Sequence, residues 1–324
     1  MEILYDSDSI AAKIISSGKG ISQEESTELS AGAPTEVLLA AAEKVTAACA
    51  SRKFDTCSII NAKSGRCPED CKWCAQSAHY ETGASVYPLK LEEDMIKAAE
   101  TSWRHGIGRF SFVTSGRRLN DNEVDIICRT AEKIRTVCGI SLCMSAGLLS
   151  DSQLERLASA GISRYHCNLE SAPSFFGTLC STHTQKDKIE TLAAAKSAGM
   201  DICSGGIIGM GETELQRIEL AFTLRDLGVS SVPVNVLCPI PGTPLACMPP
   251  LSEEDVLRSV AFFRLILPDA YLRFAGGITR FSKETVEKAY RTGINAAILG
   301  DMLTTSGTDI AENFSRIRNA GYEL

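Results

Sequence analysis

The feature that most restricts the fold of this chain is an alternation. Short β-like runs recur at 56–60, 109–114, 140–145, 163–169, 200–206, 231–237, 270–274 and 295–299. Amphipathic stretches with recognisable ends lie between them. Ser150 stands three residues before Gln153 in capping-box spacing, ahead of Leu154 and Leu157, and Gly161 follows as a stop. Ser252 opens another helix that Pro268 closes, and Gly199 ends the run through Ile189, Leu192 and Ala195. Eight strand-then-helix units over about 250 residues match an α/β fold of the (β/α)8 TIM-barrel type in count and length. The alternative is a doubly wound open sheet, for which a G-x-G-x-x-G opening the first helix is missing. Residues 1–54 read differently. Val37, Leu38, Ala41 and Val45 recur at helical spacing, with breaks at 18–20 and 32–34. The expected organisation is an N-terminal helical extension over 1–54 and a barrel domain over 55–324.

Such barrels carry their chemistry on the loops at the C-terminal rim of the strands. The loop after the first strand holds Cys67, Cys71 and Cys74 at C-x3-C-x2-C spacing, with Gly65 and Pro68 breaking any regular element. Thiolates that close repel unless a cation or a bond neutralises them, which leaves a disulfide, a zinc ion or an iron–sulfur cluster. Three is the informative count. A structural zinc or an electron-carrying cluster takes four protein ligands, whereas three thiolates on a cubane leave one iron open. The plainer reading is a zinc knuckle or a set of stray loop thiols.

Composition narrows the partners. The chain has 324 residues, 44% of them hydrophobic, enough for a full core. No apolar run reaches the length of a membrane span, and residues 1–6 lack a charged region followed by an apolar one. The expected location is therefore the cytoplasm. A net charge of −7 without a basic stripe argues against nucleic acid. Thirteen cysteines in a reducing compartment read as thiols or metal ligands rather than disulfides. Cys49, Cys57, Cys128, Cys138, Cys180 and Cys247 read as small buried apolar residues.

The cysteine spacing, with Trp73 just before the third Cys, resembles the radical S-adenosylmethionine (SAM) enzymes. The flanks Asn61-Ala62-Lys63-Ser64-Gly65 and Ala75-Gln76-Ser77-Ala78 resemble the biotin synthase family within them, over about residues 50–320. The resemblance implies a [4Fe-4S] cluster on Cys67, Cys71 and Cys74. Its open iron is chelated by SAM, which is cleaved to methionine and a 5′-deoxyadenosyl radical. It also implies conversion of dethiobiotin to biotin, with sulfur from an auxiliary cluster, and a reducing electron donor of the flavodoxin or ferredoxin type. A homodimer is what the family suggests.

Site residues carry over position by position. The family's [2Fe-2S] ligands match Cys143, Cys203 and Arg273, but Ser111 stands where the family has a cysteine. Cys167 and Cys238 are thiols where relatives have other residues. Cys143, Cys167, Cys203 and Cys238 come from adjacent strands, and four inward thiolates suit a larger, four-iron auxiliary cluster. The plainer reading keeps Cys167 and Cys238 as core residues around a weakened two-iron centre.

The glycine-rich turn through Gly206, Ile207, Gly209 and Glu212 matches a SAM-binding pattern, although a glycine cluster also makes an ordinary strand–helix turn. Asn168 and Glu170 match positions at the SAM ribose and the substrate, with Glu170 longer than the family's Asp. Asn235 matches a residue near dethiobiotin, or is simply a turn amide. Trp73 packs on adenine or anchors its loop, and His79 reads as packing. Residues 242–245 and 303–305 read as rim loops. Two other readings stand beside this one: a maturase- or mutase-type radical SAM enzyme acting on another small molecule, and a zinc-stabilised binding protein without catalysis.

Overall fold

The computed structural model describes residues 5–300 and 310–324, so the expected rim loop at 303–305 lies outside the described residues. Its strands are β1 (Asp55–Lys63), β2 (Arg109–Thr114), β3 (Ser141–Ser145), β4 (Ile162–His166), β5 (Asp201–Cys203), β6 (Gly206–Ile208), β7 (Ser231–Val236), β8 (Tyr271–Phe274) and β9 (Ile294–Ile298). All pair in parallel, in the order β5-β4-β3-β2-β1-β9-β8-β7-β6. Cys203 also pairs with Ser231, joining β5 to β7 and closing the sheet into a barrel.

β5 and β6 are two halves of one stave, so the eight expected staves are present. The stave breaks at Ser204-Gly205 for a local reason. Opposite it stands Pro233 of β7, which has no N–H to give the ladder. A Cβ on Gly205 would fall 1.9 Å from the Pro233 carbonyl oxygen, so only glycine admits so close an approach. The fourth stave is also shorter than expected, ending at His166 rather than Leu169. Beyond it the chain bends through Glu170, held at φ +71°, and Glu170 then bridges to Gly206.

Helix ends follow the local chemistry. Ser150 and Gln153 form a capping box on the helix Asp151–Ser159, and Ser252 caps Glu253–Ile266, which ends before Pro268. The three N-terminal helices Ser7–Ser17, Gln23–Gly32 and Thr35–Cys49 belong to the barrel's own core cluster. Leu38, Ala41, Ala42 and Val45 are fully buried. Ile21 N–H donates to the Leu265 carbonyl at 3.0 Å and Thr46 Oγ1 to the Thr292 carbonyl at 2.8 Å, fastening this layer to the last two barrel helices before β9. Among the described residues, no helix is long and apolar enough to cross a membrane.

Candidate active site

The loop after β1 is held shut by its own backbone. Cys67 N–H donates to the Gln76 carbonyl at 3.0 Å, Ala78 N–H to the Cys67 carbonyl at 2.7 Å, and Cys74 N–H to the Cys71 carbonyl at 3.0 Å. Gly65 and Arg66 both take positive φ, which turns the chain back on itself. Ser115 of the second rim loop anchors it, donating to the Gly65 carbonyl at 2.8 Å.

Cys67, Cys74 and Trp73 line the mouth of a cavity of about 450 Å³ that runs into the barrel. Cys71 turns toward a neighbouring loop, with its sulfur 3.7 Å from that of Cys180. Burial pushes all three thiols up: Cys74 reaches about 11, and the Cys180 sulfur raises Cys71 further. Three half-buried neighbours of this kind become thiolates together only against a strongly positive centre, which an iron cluster core supplies.

The turn between β4 and β6 forms one wall. Asn168 Oδ1 accepts from Gly205 N–H at 2.9 Å, and Asn168 Nδ2 donates to Glu170 Oε2 at 3.3 Å. Asn168, Glu170 and Ile207 line the cavity; Gly206, Gly209 and Glu212 do not. Both Glu212 oxygens are engaged by the turn itself. They accept from Gly209 N–H and Met210 N–H at 2.7 Å each, and Arg217 Nε donates to Oε1 at 2.8 Å. Glu212 therefore shapes the glycine turn from behind. Asn235 lines the cavity while bonded to backbone on both sides, donating to the Gly206 carbonyl at 3.0 Å and accepting from Gly276 N–H at 2.8 Å.

Deeper in, Cys143, Cys167, Cys203 and Cys238 all line the same cavity, as does Arg273. Cys203 has the most distinctive surroundings. Its sulfur lies 3.3 Å from His166 Nδ1 and 3.4 Å from Ser231 Oγ. Burial raises its thiol, but His166 and Arg273 outweigh that and bring it down to about 7. The Arg273 guanidinium is already engaged. Nη1 donates to the carbonyls of Asp55 and Ala297 at 2.9 and 3.0 Å, and Nη2 donates to Asp55 Oδ2 at 2.7 Å.

Several groups that sequence reasoning passed over also face this space. His166 had no assigned role, and Lys188 sits on the helix Gln185–Ser197, where a lysine ordinarily points to solvent. Here Lys188 is only 8% exposed, and Glu170 and Cys167 hold its ammonium charged against the burial that opposes it. Cys57 is buried as expected, yet it lines the cavity and its thiol is pushed up to about 12, chiefly by burial. Arg109 and Arg164 line it too, and the Nε of each is buried without a partner. Unpaired donors beside a group of soft thiols suit an anionic sulfur-rich occupant, so the residues present fit an auxiliary iron–sulfur cluster.

Comparison with known proteins agrees with this geometry. A profile of the Radical SAM superfamily matches residues 62–224, and one of the Biotin and Thiamin Synthesis associated domain matches residues 233–323. The chain is 51% identical to a biotin synthase of Porphyromonas gingivalis, covering 93% of this chain and 91% of that one. It is 48% identical to a biotin synthase of Clostridium botulinum, over 96% of this chain and 98% of the other. Among solved structures, methylornithine synthase superposes with a TM-score of 0.81 at 17% identity, covering 97% of this chain and 96% of that one. An FeFe-hydrogenase maturase from Carboxydothermus hydrogenoformans gives 0.79 at 18% identity, over 97% of this chain and 79% of the other. At those identities the structural likeness establishes the fold alone.

Proposed function

The chain belongs to the biotin synthase family of radical SAM enzymes, and from that premise we propose that it inserts sulfur into dethiobiotin to give biotin, drawing the sulfur from an auxiliary iron–sulfur cluster inside the barrel. One observation carries the reading: a single cavity has cluster-loop thiols at its mouth and a second group of thiols in its interior. Bound there, the [4Fe-4S] cluster and SAM supply the hydrogen-atom abstraction that acid–base groups cannot perform on two unactivated C–H bonds.

In this reading Cys67, Cys71 and Cys74 hold the first cluster. Trp73 packs on the adenine, and Asn168 and Glu170 face the ribose. Ile207 contacts the cofactor from a wall whose shape Gly206, Gly209 and Glu212 set. The Lys188 ammonium offers a partner to a carboxylate in the cavity. Asn168 and Asn235 orient dethiobiotin, and their bonds to backbone hold each amide in one rotamer. Cys143 and Cys203 hold the auxiliary cluster, with Cys167 and Cys238 lining the same cavity. Arg273 lies beside it, tethered to Asp55. The barrel wall encloses the substrate and keeps water from a reactive carbon centre.

The same reading takes residues 1–54 as a helical extension and 55–324 as the catalytic barrel. It places the chain in the cytoplasm, where a reducing environment preserves thirteen thiols. A flavodoxin- or ferredoxin-type protein delivers electrons, and the chain pairs as a homodimer. Ser111, which lacks the family's thiol, favours a second reading: a maturase- or mutase-type relative acting on another small molecule. Complementation of a biotin auxotroph under anaerobic growth decides between them. Rescue that depends on Cys67, Cys71 and Cys74 is the expected result, and failure to rescue with well-expressed protein overturns the assignment.

A further inference from the structure

The cavity thiols fall into two groups once their neighbours are taken into account. Cys143 on β3 is buried with Cys203, Arg109 and Arg164 as its charged neighbours. Cys57 on β1 has Arg273, Cys143, Asp55 and Arg109 around it. Cys203 has His166 and Arg273. Cys57, Cys143 and Cys203 thus line one cavity from three staves, with Arg273 beside Cys57 and Cys203 and with Cys143 between those two thiols in its interactions. Cys167 belongs elsewhere: its charged neighbours are Lys188 and Glu170, on the wall nearer the cysteine loop.

The barrel register explains how a thiol on β1 reaches this group. Cys57 and Ile59 point inward from β1, as do Arg109 and Ser111 from β2. Cys57 is paired with Arg109 and Ile59 with Ser111, while Ser111 is paired with Cys143. Cys57 is therefore one inward position below the Ser111 level on the neighbouring stave. A diagonal pair of this kind is within reach of one bound object. Ser111 is the cross-strand partner of Cys143 and lines the same cavity, so position 111 offers a hydroxyl beside a neighbouring thiol instead of a soft ligand. Among the described residues, the Cys57 sulfur bonds only to the carbonyl of its own neighbour Ser58, at 3.4 Å.

We infer that Cys57 supplies the thiolate missing at Ser111, so that the auxiliary cluster is held by Cys57, Cys143 and Cys203 beside Arg273. The ligand has moved from β2 to β1 while the interior keeps its count of thiols around the arginine floor. This inference rests on the reading that the barrel interior holds a cluster at all. Cys167 lies outside the ligand set.

The test isolates the inner site in the full chain by changing Cys67, Cys71 and Cys74 together to alanine. Each protein is reconstituted anaerobically with iron and sulfide, and iron per chain and the Mössbauer spectrum are recorded. Cys57→Ser is expected to lower inner-site iron by roughly tenfold or more. Adding Ser111→Cys to it restores that iron by returning a thiol to β2, and Cys167→Ser leaves the iron unchanged. Retention of iron in Cys57→Ser overturns the inference, and so does a loss that Ser111→Cys fails to restore while circular dichroism shows a folded chain. If the parent with all three alanines takes up no iron, the cluster reading and this inference fall together. If that parent is loaded and Cys57→Ser stays loaded, only this inference falls.

Discussion

Arg273 donates from Nη2 to Asp55 Oδ2 at 2.7 Å, and Arg164 reaches the same oxygen at 2.9 Å. One carboxylate on β1 thus tethers guanidiniums from β8 and β4 and leaves the cavity floor with an excess of positive charge. Burial raises the Asp55 carboxyl, but the two arginines outweigh it and hold it below the ordinary 3.8. A depressed carboxyl stabilises the fold above its unfolded value, and that contribution disappears as pH falls through the folded one. Asp55→Asn should therefore destabilise the cluster-free chain by about 3 kcal/mol at pH 7, since it strands two buried cations. The gap to the parent should shrink below about pH 4. Urea unfolding at both pH values checks this, and a gap that does not change with pH would refute it.

The first-cluster assignment makes a separable prediction. Changing Cys67, Cys71 or Cys74 to alanine should abolish reductive cleavage of SAM, followed as methionine release with a chemical reductant. Iron per chain should fall by about four, while the inner cluster stays loaded. A reconstituted parent holding only about four irons in total would show that no auxiliary cluster forms.

Gly206 stands where the chain has no room for a side chain. A Cβ there would meet the Glu170 carbonyl oxygen at 2.5 Å. Gly206→Ala should cost at least about 2 kcal/mol of stability, because the Glu170 backbone on one side and the Leu220 side chain on the other must shift. It should also weaken SAM binding by moving Asn168 and Glu170. Gly209→Ala, strained by its φ of +92° but with its nearest contact at 3.4 Å, should be the milder change. Thermal melts together with calorimetric SAM titration rank the two, and the reverse order would count against this account of the wall.

Glu212 is a positioning residue. Its carboxylate holds the Gly209–Met210 turn and pairs with Arg217, and it does not line the cavity. Glu212→Gln retains one acceptor but loses the charge, which should weaken SAM binding by roughly tenfold. Turnover at saturating SAM should change little. A variant with normal affinity and lost turnover would instead place this carboxylate at the reacting groups.

Local chemistry wrote much of this protein into its sequence. Short β-like runs alternating with capped helices are enough to specify eight staves, because strand and helix signals depend only on near neighbours. The cluster loop is legible for the same reason, since its three thiols lie within eight residues and need no long-range folding to converge. The break in the fifth stave was not legible, because it depends on Pro233 lying opposite Gly205 in another strand. Strand order already grouped Cys143, Cys167, Cys203 and Cys238, and tertiary structure added Cys57 to the interior. Strand parity gives each side chain a face, but the register between staves decides which inward residues meet. That register placed Cys57 on one cavity with Cys143, His166 and Arg273, while the packing of helix and loop behind the strands set Lys188 into it and left Glu212 outside.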